Sequence, residues 1–329
     1  MNVPGWLWLA TIGGLLVLLA IDLVIVDRKP HEVTIGEAAR WVVFYVGTAV
    51  LFGLGVWLFA GGEYAGQFVA GYITEYSLSV DNLFVFVIII SRFAVPAIHQ
   101  HKVLLIGIVL ALVMRGLFIA LGAAVISRFT WVFYLFGVFL VYTAWKLARE
   151  GTGSDEEFKE NVVLRTARRM LPVTDHYRGA RSFVRENGKF LFTPMFIVMI
   201  AIGTTDLLFA VDSIPAIFGL TKEPFLVFTA NAFALMGLRQ LYFLIGGLLD
   251  RLVYLSIGLA VILGFIGVKL ILEALHENSL PFINGGEGLP VPTVGIELSL
   301  GVIVSVLLVT TVASLLKVRR HPEAVRPRS

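Results

Sequence analysis

Residues 206–213 read Asp-Leu-Leu-Phe-Ala-Val-Asp-Ser, and residues 75–82 read Glu-Tyr-Ser-Leu-Ser-Val-Asp-Asn. In both stretches an acid is followed, after five residues, by an aspartate that has a valine before it and a small polar residue after it. Both stretches lie inside long apolar runs, where a charged side chain is costly. Two matching pairs of acids in such runs predict an internal repeat, and they mark the place where a functional site is expected.

The likeness between the two regions continues downstream. Ala-Leu-Val-Met precedes Arg115, and Ala-Leu-Met-Gly-Leu precedes Arg239. The pattern Lys-x-x-x-Glu occurs at residues 146–150 and again at residues 269–273. Each unit contains three apolar segments, which is an odd number, so the second unit must enter the membrane from the opposite face.

The composition places the chain in a membrane. Of its 329 residues, 58% are hydrophobic and 15% are charged, whereas soluble domains average about 45–50% apolar and about 25% charged residues. No Cys is present, so disulfides, thiolate zinc sites and iron–sulfur sites are excluded. Nine apolar segments have spanning length, at residues 6–26, 41–60, 66–91, 103–126, 131–147, 194–218, 226–249, 252–274 and 294–316.

Lys and Arg residues gather at alternate ends of these segments. They follow the odd-numbered segments, most densely in residues 148–192, whereas the opposite loops contain only Arg128 and Lys222. The positive-inside rule then predicts an N-terminus outside and a C-terminus in the cytoplasm of a bacterial inner membrane. Residues 6–26 are predicted to be a retained span rather than a signal peptide, because no basic residue precedes Arg28.

The predicted fold is therefore an all-α polytopic membrane protein with about nine transmembrane helices, in which spans 3–5 recur, inverted, as spans 6–8. The predicted organisation is two peripheral helices at 1–65, the first repeat at 66–147, a basic cytoplasmic loop at 148–192, the second repeat at 193–274, an extracytoplasmic loop at 275–293, and helix nine with a cytoplasmic tail at 294–329.

Residues 161–170, within the basic loop, could form a short amphipathic helix. Such a helix would contact anionic lipid or a regulator. An ordinary positive-inside loop explains the same charges more simply.

The repeated motifs supply oxygen ligands and contain neither His nor Cys. Oxygen-only sites suit hard cations such as Mn²⁺, Mg²⁺ and Ca²⁺. The predicted metal-handling residues are Asp81, Asp212, Glu75, Asp206, Asn82, Ser213 and Asn231.

The spacing within each motif limits how its two acids can act. Residues six apart on a helix differ by about 120° and lie about 9 Å apart along the axis, so they cannot chelate one ion together. Either the helices break near the motif, or the acids mark successive positions along a path. Pro215 removes the hydrogen bond to the carbonyl of Val211 and favours a break in the sixth segment. The third segment has no such proline, and Asp81 and Asp212 are the first choices as ligands.

Arg115 and Arg239 lie inside apolar segments and need partners. The simplest hypothesis pairs them with Glu75 and Asp206, which leaves two carboxylates for one divalent ion. The alternative is that all these charges form static structural pairs.

The quoted segments resemble those of the TerC family, named from tellurite resistance, and within it the Alx-type branch. The resemblance covers about residues 15–316. It is carried by residues 19–23, 75–82, 206–218, 231–247 and 264–269. It implies a manganese exporter in which Asp81 and Asp212, together with Glu75 and Asp206, handle the metal.

The predicted function is export of a divalent metal ion, with Mn²⁺ as the cargo that the resemblance implies and protons as a candidate counter-ion. The chain is predicted not to be an enzyme, to carry no resident cofactor and to bind no nucleic acid; its partners are membrane lipid and the transported ion. Three alternatives remain open. One is a membrane scaffold or stress sensor that acts through residues 148–192, another is an intramembrane hydrolase whose paired aspartates share a proton, and the third is a channel.

Overall fold

The computed structural model describes most of the chain. The described residues are 3–26, 34–129, 131–150, 164, 171–174, 176–179, 181–186, 189–245, 252–278 and 280–320, with the side chains of 22–26, 81, 84, 97, 150, 186, 189 and 245 left outside that description.

Apart from one small hairpin and a 3₁₀ turn at Asn284–Gly286, the regular secondary structure of the described residues is α-helical. The helices are α1 (Gly5–Val26), α2 (Ile35–Ala60), α3 (Gly62–Arg92), α4 (Ala97–Ile126), α5 (Val132–Glu150), α6 (Pro194–Phe218), α7 (Pro224–Met236), α8 (Leu238–Ile245), α9 (Leu255–His276) and α10 (Ile296–Arg320). The strands are β1 (Phe183–Glu186) and β2 (Lys189–Phe192).

Helix length and composition confirm an all-α membrane protein. Among the described residues, seven helices are long and apolar enough to cross a bilayer, namely α2, α3, α4, α5, α6, α9 and α10. The apolar stretch of α1 is shorter, at Gly5–Ile21. The remaining predicted span, the seventh, is divided between α7 and α8.

The seventh predicted span is not one continuous helix. Residues 226–249 were expected to form a single span, but the helix ends at Met236 and a new one begins at Leu238. Gly237 lies at the junction, and glycine is a poor helix former because it restricts the backbone least. The interruption separates Asn231 on α7 from Arg239 on α8.

The expected break in the sixth span is also wrong. Helix α6 runs without interruption from Pro194 to Phe218, through Asp212 and Pro215. Helix α3 is likewise continuous across both of its motif acids. Pro215 lies in the last turn of α6, where the loss of one backbone hydrogen bond does not stop the helix, and spanning helices tolerate proline when neighbours cover the freed carbonyl.

Prolines fix where two of the helices begin. Pro194 and Pro224 occupy the first positions of α6 and α7. This position suits proline, because its missing N–H would have no partner there and its fixed φ is helical. Helix α2 begins differently, since the side chain of Thr34 accepts a hydrogen bond from the backbone N–H of Glu37 at 3.3 Å.

Glycines allow α5 and α9 to touch through their backbones. A Cβ added at Gly137 would lie 2.8 Å from the carbonyl oxygen of Gly267, and one added at Gly267 would lie 2.9 Å from the carbonyl oxygen of Gly137. Close crossings of this kind, built on small residues, are typical of helix pairs in membranes. This pair is the most extensive helix contact of the described bundle.

The helices that carry the motif acids pack against their neighbours in a related way. Helix α3 contacts α7 and α6. A Cβ added at Gly71 would lie 3.3 Å from the side chain of Ala230 on α7 and 3.3 Å from that of Ile217 on α6. Helix α4 lies along α6, where Gly107 faces Ile202. The acids and arginines therefore lie on helices from the centre of the bundle.

The predicted basic loop contains a β-hairpin that the sequence analysis missed. Strands β1 and β2 are antiparallel, with Phe183 opposite Phe192 and Val184 opposite Leu191. The predicted amphipathic helix at 161–170 lies, apart from Leu164, outside the described residues.

Candidate functional site

Arg115 is the centre of the candidate site. It lies midway along α4, and only 1% of its side chain is exposed. Its Nε donates to Asp206 Oδ2 and its Nη2 donates to Asp206 Oδ1, both at 3.1 Å. Two parallel bonds of this kind are the strong, geometrically specific form of an arginine–carboxylate pair. They join α4 to α6.

A second carboxylate reaches the same guanidinium from α3. Arg115 Nη1 donates to Glu75 Oε1 and, at 3.2 Å, to Ser213 Oγ. Ser79 lies one turn after Glu75 and donates to Oε1 at 3.3 Å. Glu75 and Ser79 therefore share a helix face, as their spacing of four residues requires, and one arginine binds acids from both motifs.

This group of one cation and two acids carries a formal charge of −1 and is closed to solvent. Glu75, Arg115 and Asp206 are at most 2% exposed. The second carboxylate oxygen of Glu75, Oε2, has no hydrogen-bond partner among the described residues. The same holds for Thr74 Oγ1 on α3 and Asn231 Nδ2 on α7. Buried polar atoms almost always have partners, so each of these atoms retains the capacity for one further polar contact.

The other predicted site residues lie on nearby turns and helices. Asp212 and Asn82 are half-buried, on α6 and α3, and Arg239 is buried on α8. The side chain of Asp81, which was predicted to be a principal ligand, lies outside the described residues. Among the side chains that are described, no three His, Asp or Glu residues form a metal-binding group.

Two features of this site were not predicted from the sequence. Glu75 and Asp206 were each expected to have their own arginine, yet both bind Arg115. Ser213, which was predicted to be a metal ligand, accepts a hydrogen bond from Arg115, a contact that the sequence did not predict. The sequence does show three charges and a hydroxyl in apolar segments, but the distances between helices decide which of them meet.

A second cluster of one cation and two acids lies at the ends of the helices rather than midway along them. Lys222, in the link between α6 and α7, binds Glu273 at 2.9 Å and Glu277 at 2.8 Å. Partial burial lowers the pKa of Lys222, but the hydrogen bonds to the two glutamates raise it more, so the net pKa lies above its ordinary value of 10.5. Here the side chains are between 29% and 46% exposed.

Apolar helices of spanning length around a buried arginine–carboxylate group define a polytopic α-helical membrane protein with an ionised core. Comparison with known proteins makes this more specific. The model of the integral membrane protein TerC family matches residues 60–322, and the chain belongs to that family.

Several curated proteins are similar over most of the chain. An uncharacterized membrane protein of Mycobacterium tuberculosis is 52% identical over 333 residues, which cover 100% of this chain and 84% of that protein. The putative membrane-bound redox modulator Alx of Escherichia coli is 37% identical over 315 residues, 93% of this chain and 92% of its own length. The chloroplastic thylakoid membrane protein TERC of Arabidopsis thaliana is 45% identical over 243 residues, 74% and 63% of the two lengths. No solved structure matches.

Proposed function

We propose that this protein exports a divalent metal ion, with Mn²⁺ as its cargo, across a bacterial inner membrane. The observation that carries the proposal is the closed group of Arg115, Glu75 and Asp206, with its net charge of −1 and an unused carboxylate oxygen. Acids inside a membrane are costly and mark ion pathways by default. The available ligands are oxygens, which suit hard divalent cations.

In this proposal Arg115 acts as a tethered substitute for the metal ion. Its guanidinium neutralises part of the acid charge while the cargo is absent. An arriving divalent ion competes with Arg115 for Glu75 Oε1 and uses the free Oε2. When the ion leaves, Arg115 returns to both acids, which keeps the buried charge small throughout the cycle.

Because α3 and α6 are unbroken, the acids of each motif are better explained as successive positions along a path than as joint ligands of one ion. Asp206 and Asp212 are about 9 Å apart along a continuous helix, so they serve as successive positions on a path rather than as two ligands of one ion. Asp81 and Asp212 are then the positions next to the Arg115 group.

Helix packing supports the proposed inverted repeat. If spans 3–5 are exchanged with spans 6–8, the contact of α3 with α7 becomes the contact of α6 with α4. Both contacts are present, and α5 packs on α9, as the same exchange requires. Inverted repeats place substrate sites at their interface near the midplane. We place the N-terminus outside and the C-terminus in the cytoplasm, as the charge bias predicts.

The test is metal uptake into proteoliposomes that contain the purified full chain. Mn²⁺, Mg²⁺, Ca²⁺ and Zn²⁺ are compared with and without a pH gradient. The variants Asp81→Asn and Asp212→Asn are expected to lose Mn²⁺ uptake, and Glu277→Gln, which removes an exposed acid, is expected to keep it. Full uptake by both aspartate variants, or no uptake of any ion by the wild type, would overturn the proposal.

A second candidate is a stress-response role through residues 148–192. The name of the Alx relatives, putative membrane-bound redox modulator, and the folded hairpin within this loop favour it. The sequence contains no Cys, so such a role would not use thiols of the chain itself. Replacing residues 151–192, hairpin included, by a flexible linker is expected to abolish this role and to leave metal uptake intact.

A further inference from the structure

A basic cavity lies beside the hairpin, on the face of the bundle that the charge bias predicts to be cytoplasmic. Its volume is about 560 Å³, within the range of about 300–1,000 Å³ that is usual for small-molecule sites. Among the described residues that line it, three are cations and none is an acid. The lining consists of Lys102, Arg178, Gly179, Arg181, Ser182 and Phe183. Such a lining favours an anionic ligand.

The cavity is held at the level where the helices end. Lys102 lies in the second turn of α4. Hydrogen bonds tie the loop to the bundle, among them one from Tyr177 Oη to the carbonyl of Phe93 at 2.7 Å and one from Thr193 Oγ1 to the carbonyl of Arg181 at 2.6 Å. Phe93 ends α3 and Thr193 precedes α6. The cavity therefore lies level with the ends of α3, α4 and α6, where a membrane surface is expected.

The hairpin presents two exposed aromatic rings, and one of them, Phe183, lines this cavity. Phe183 is 53% exposed and Phe190 is 71% exposed. The register puts both on one face of the hairpin, because Phe183 lies opposite Phe192 and Arg185 lies opposite Phe190. Aromatic rings at this depth suit the boundary between headgroups and acyl chains. A soluble phosphate compound would make no use of them.

We propose that this cavity binds the phosphate of an anionic phospholipid, with Phe183 and Phe190 against the glycerol and the upper acyl chains. The chemistry that is recognised is a phosphate ester, and a soluble phosphate compound is the competing source. The proposal goes beyond metal transport and does not depend on it, because the cavity lies outside the Arg115 group.

The test is native mass spectrometry of the purified full chain, titrated with phosphatidylglycerol or with zwitterionic phosphatidylcholine. The triple variant Lys102→Gln, Arg178→Gln and Arg181→Gln is expected to bind phosphatidylglycerol about a hundredfold more weakly. The matched control removes three cations from the last turn of α10, with Lys317→Gln, Arg319→Gln and Arg320→Gln, and is expected to bind as the wild type does. An equal loss in both triples, or equal binding of the two lipids, would overturn the site.

Two further experiments test whether the ligand is a lipid rather than a soluble phosphate, and whether binding requires the positive charges of the cavity. Phe183→Ser with Phe190→Ser is expected to weaken lipid binding and to leave glycerol phosphate binding unchanged. If inorganic phosphate displaces phosphatidylglycerol at an equal concentration, the lipid assignment is wrong. The conservative triple K102R, R178K and R181K keeps the charges and is expected to keep the lipid; its failure to do so would also overturn the proposal.

Discussion

Two clusters in this protein have the same composition and different surroundings. Arg115 binds Glu75 and Asp206, and Lys222 binds Glu273 and Glu277. Each cluster has one cation, two carboxylates and a formal charge of −1. The first is closed to solvent, whereas the side chains of the second are 29–46% exposed. Water screens the second cluster and not the first, so the same set of charges gives unequal energy.

The largest expected effect is that of Arg115→Gln. It leaves two buried carboxylates without their cation, which costs about 3–5 kcal/mol of unfolding free energy by analogy with broken buried pairs. Equilibrium unfolding of the purified protein in detergent measures it. The triple variant with Arg115→Met, Glu75→Gln and Asp206→Asn removes all three charges and is expected to recover much of the loss. If Arg115→Gln cost less unfolding free energy than Lys222→Gln, the claim that burial strengthens the Arg115 cluster would be wrong.

The next effect separates the two acids of the buried cluster. Asp206→Asn disturbs two bonds to Arg115 and is expected to cost about 1.5–3 kcal/mol. Glu75→Gln is expected to cost less, because glutamine keeps an acceptor for Arg115 and puts its amide where Oε2 has no hydrogen-bond partner. The same unfolding measurement ranks them. A larger cost for Glu75→Gln would mean that Oε2 does have an important contact.

Ser213→Ala tests the smallest part of the buried cluster. It removes one acceptor, 3.2 Å from Arg115 Nη1, while the bond from Nη1 to Glu75 remains. We expect a loss of about 1 kcal/mol. Ser79→Ala, which removes a donor at 3.3 Å from Glu75, provides the comparison within the same site. A loss as large as that of Arg115→Gln would show that Ser213 does more than accept this hydrogen bond.

Lys222→Gln is expected to have the smallest effect, below about 1 kcal/mol, because exposed pairs are screened. The difference from the wild type should disappear in molar salt. Since the folded-state pKa of Lys222 is raised above 10.5, its contribution is complete below pH 10.5 and is lost only as the pH rises through the higher folded value. Melting temperatures against pH and salt check this. A difference that survives molar salt would make this cluster behave like the buried one.

The sequence was sufficient to predict the helices and the buried charges. Apolar length located the spans, and the cost of charge in lipid selected Glu75, Asp206 and Arg115. The shared face of Glu75 and Ser79 followed from helix periodicity. These are local properties, and a single chain segment is enough to reveal them.

Other features depend on contacts between distant segments, and the sequence did not predict them. Both acids bind Arg115 because α3 and α6 bring Glu75 and Asp206 to the same guanidinium, a fact that spacing along the chain does not contain. The helix continues past Pro215 yet is interrupted at Gly237, although proline is the stronger helix breaker. The hairpin at 183–192 was hidden because a short basic loop between long apolar spans resembled ordinary connecting chain.

The contact of Gly137 with Gly267 limits how this bundle can deform. Where two main chains touch with no side chain between them, one helix can pivot on the other but cannot slide past it, since the next residues would collide. The crossing of α5 and α9 is therefore a pivot point about which the two helices can rotate. Any rocking of the bundle must open and close elsewhere, along the surfaces of α3, α4 and α6 that enclose Arg115.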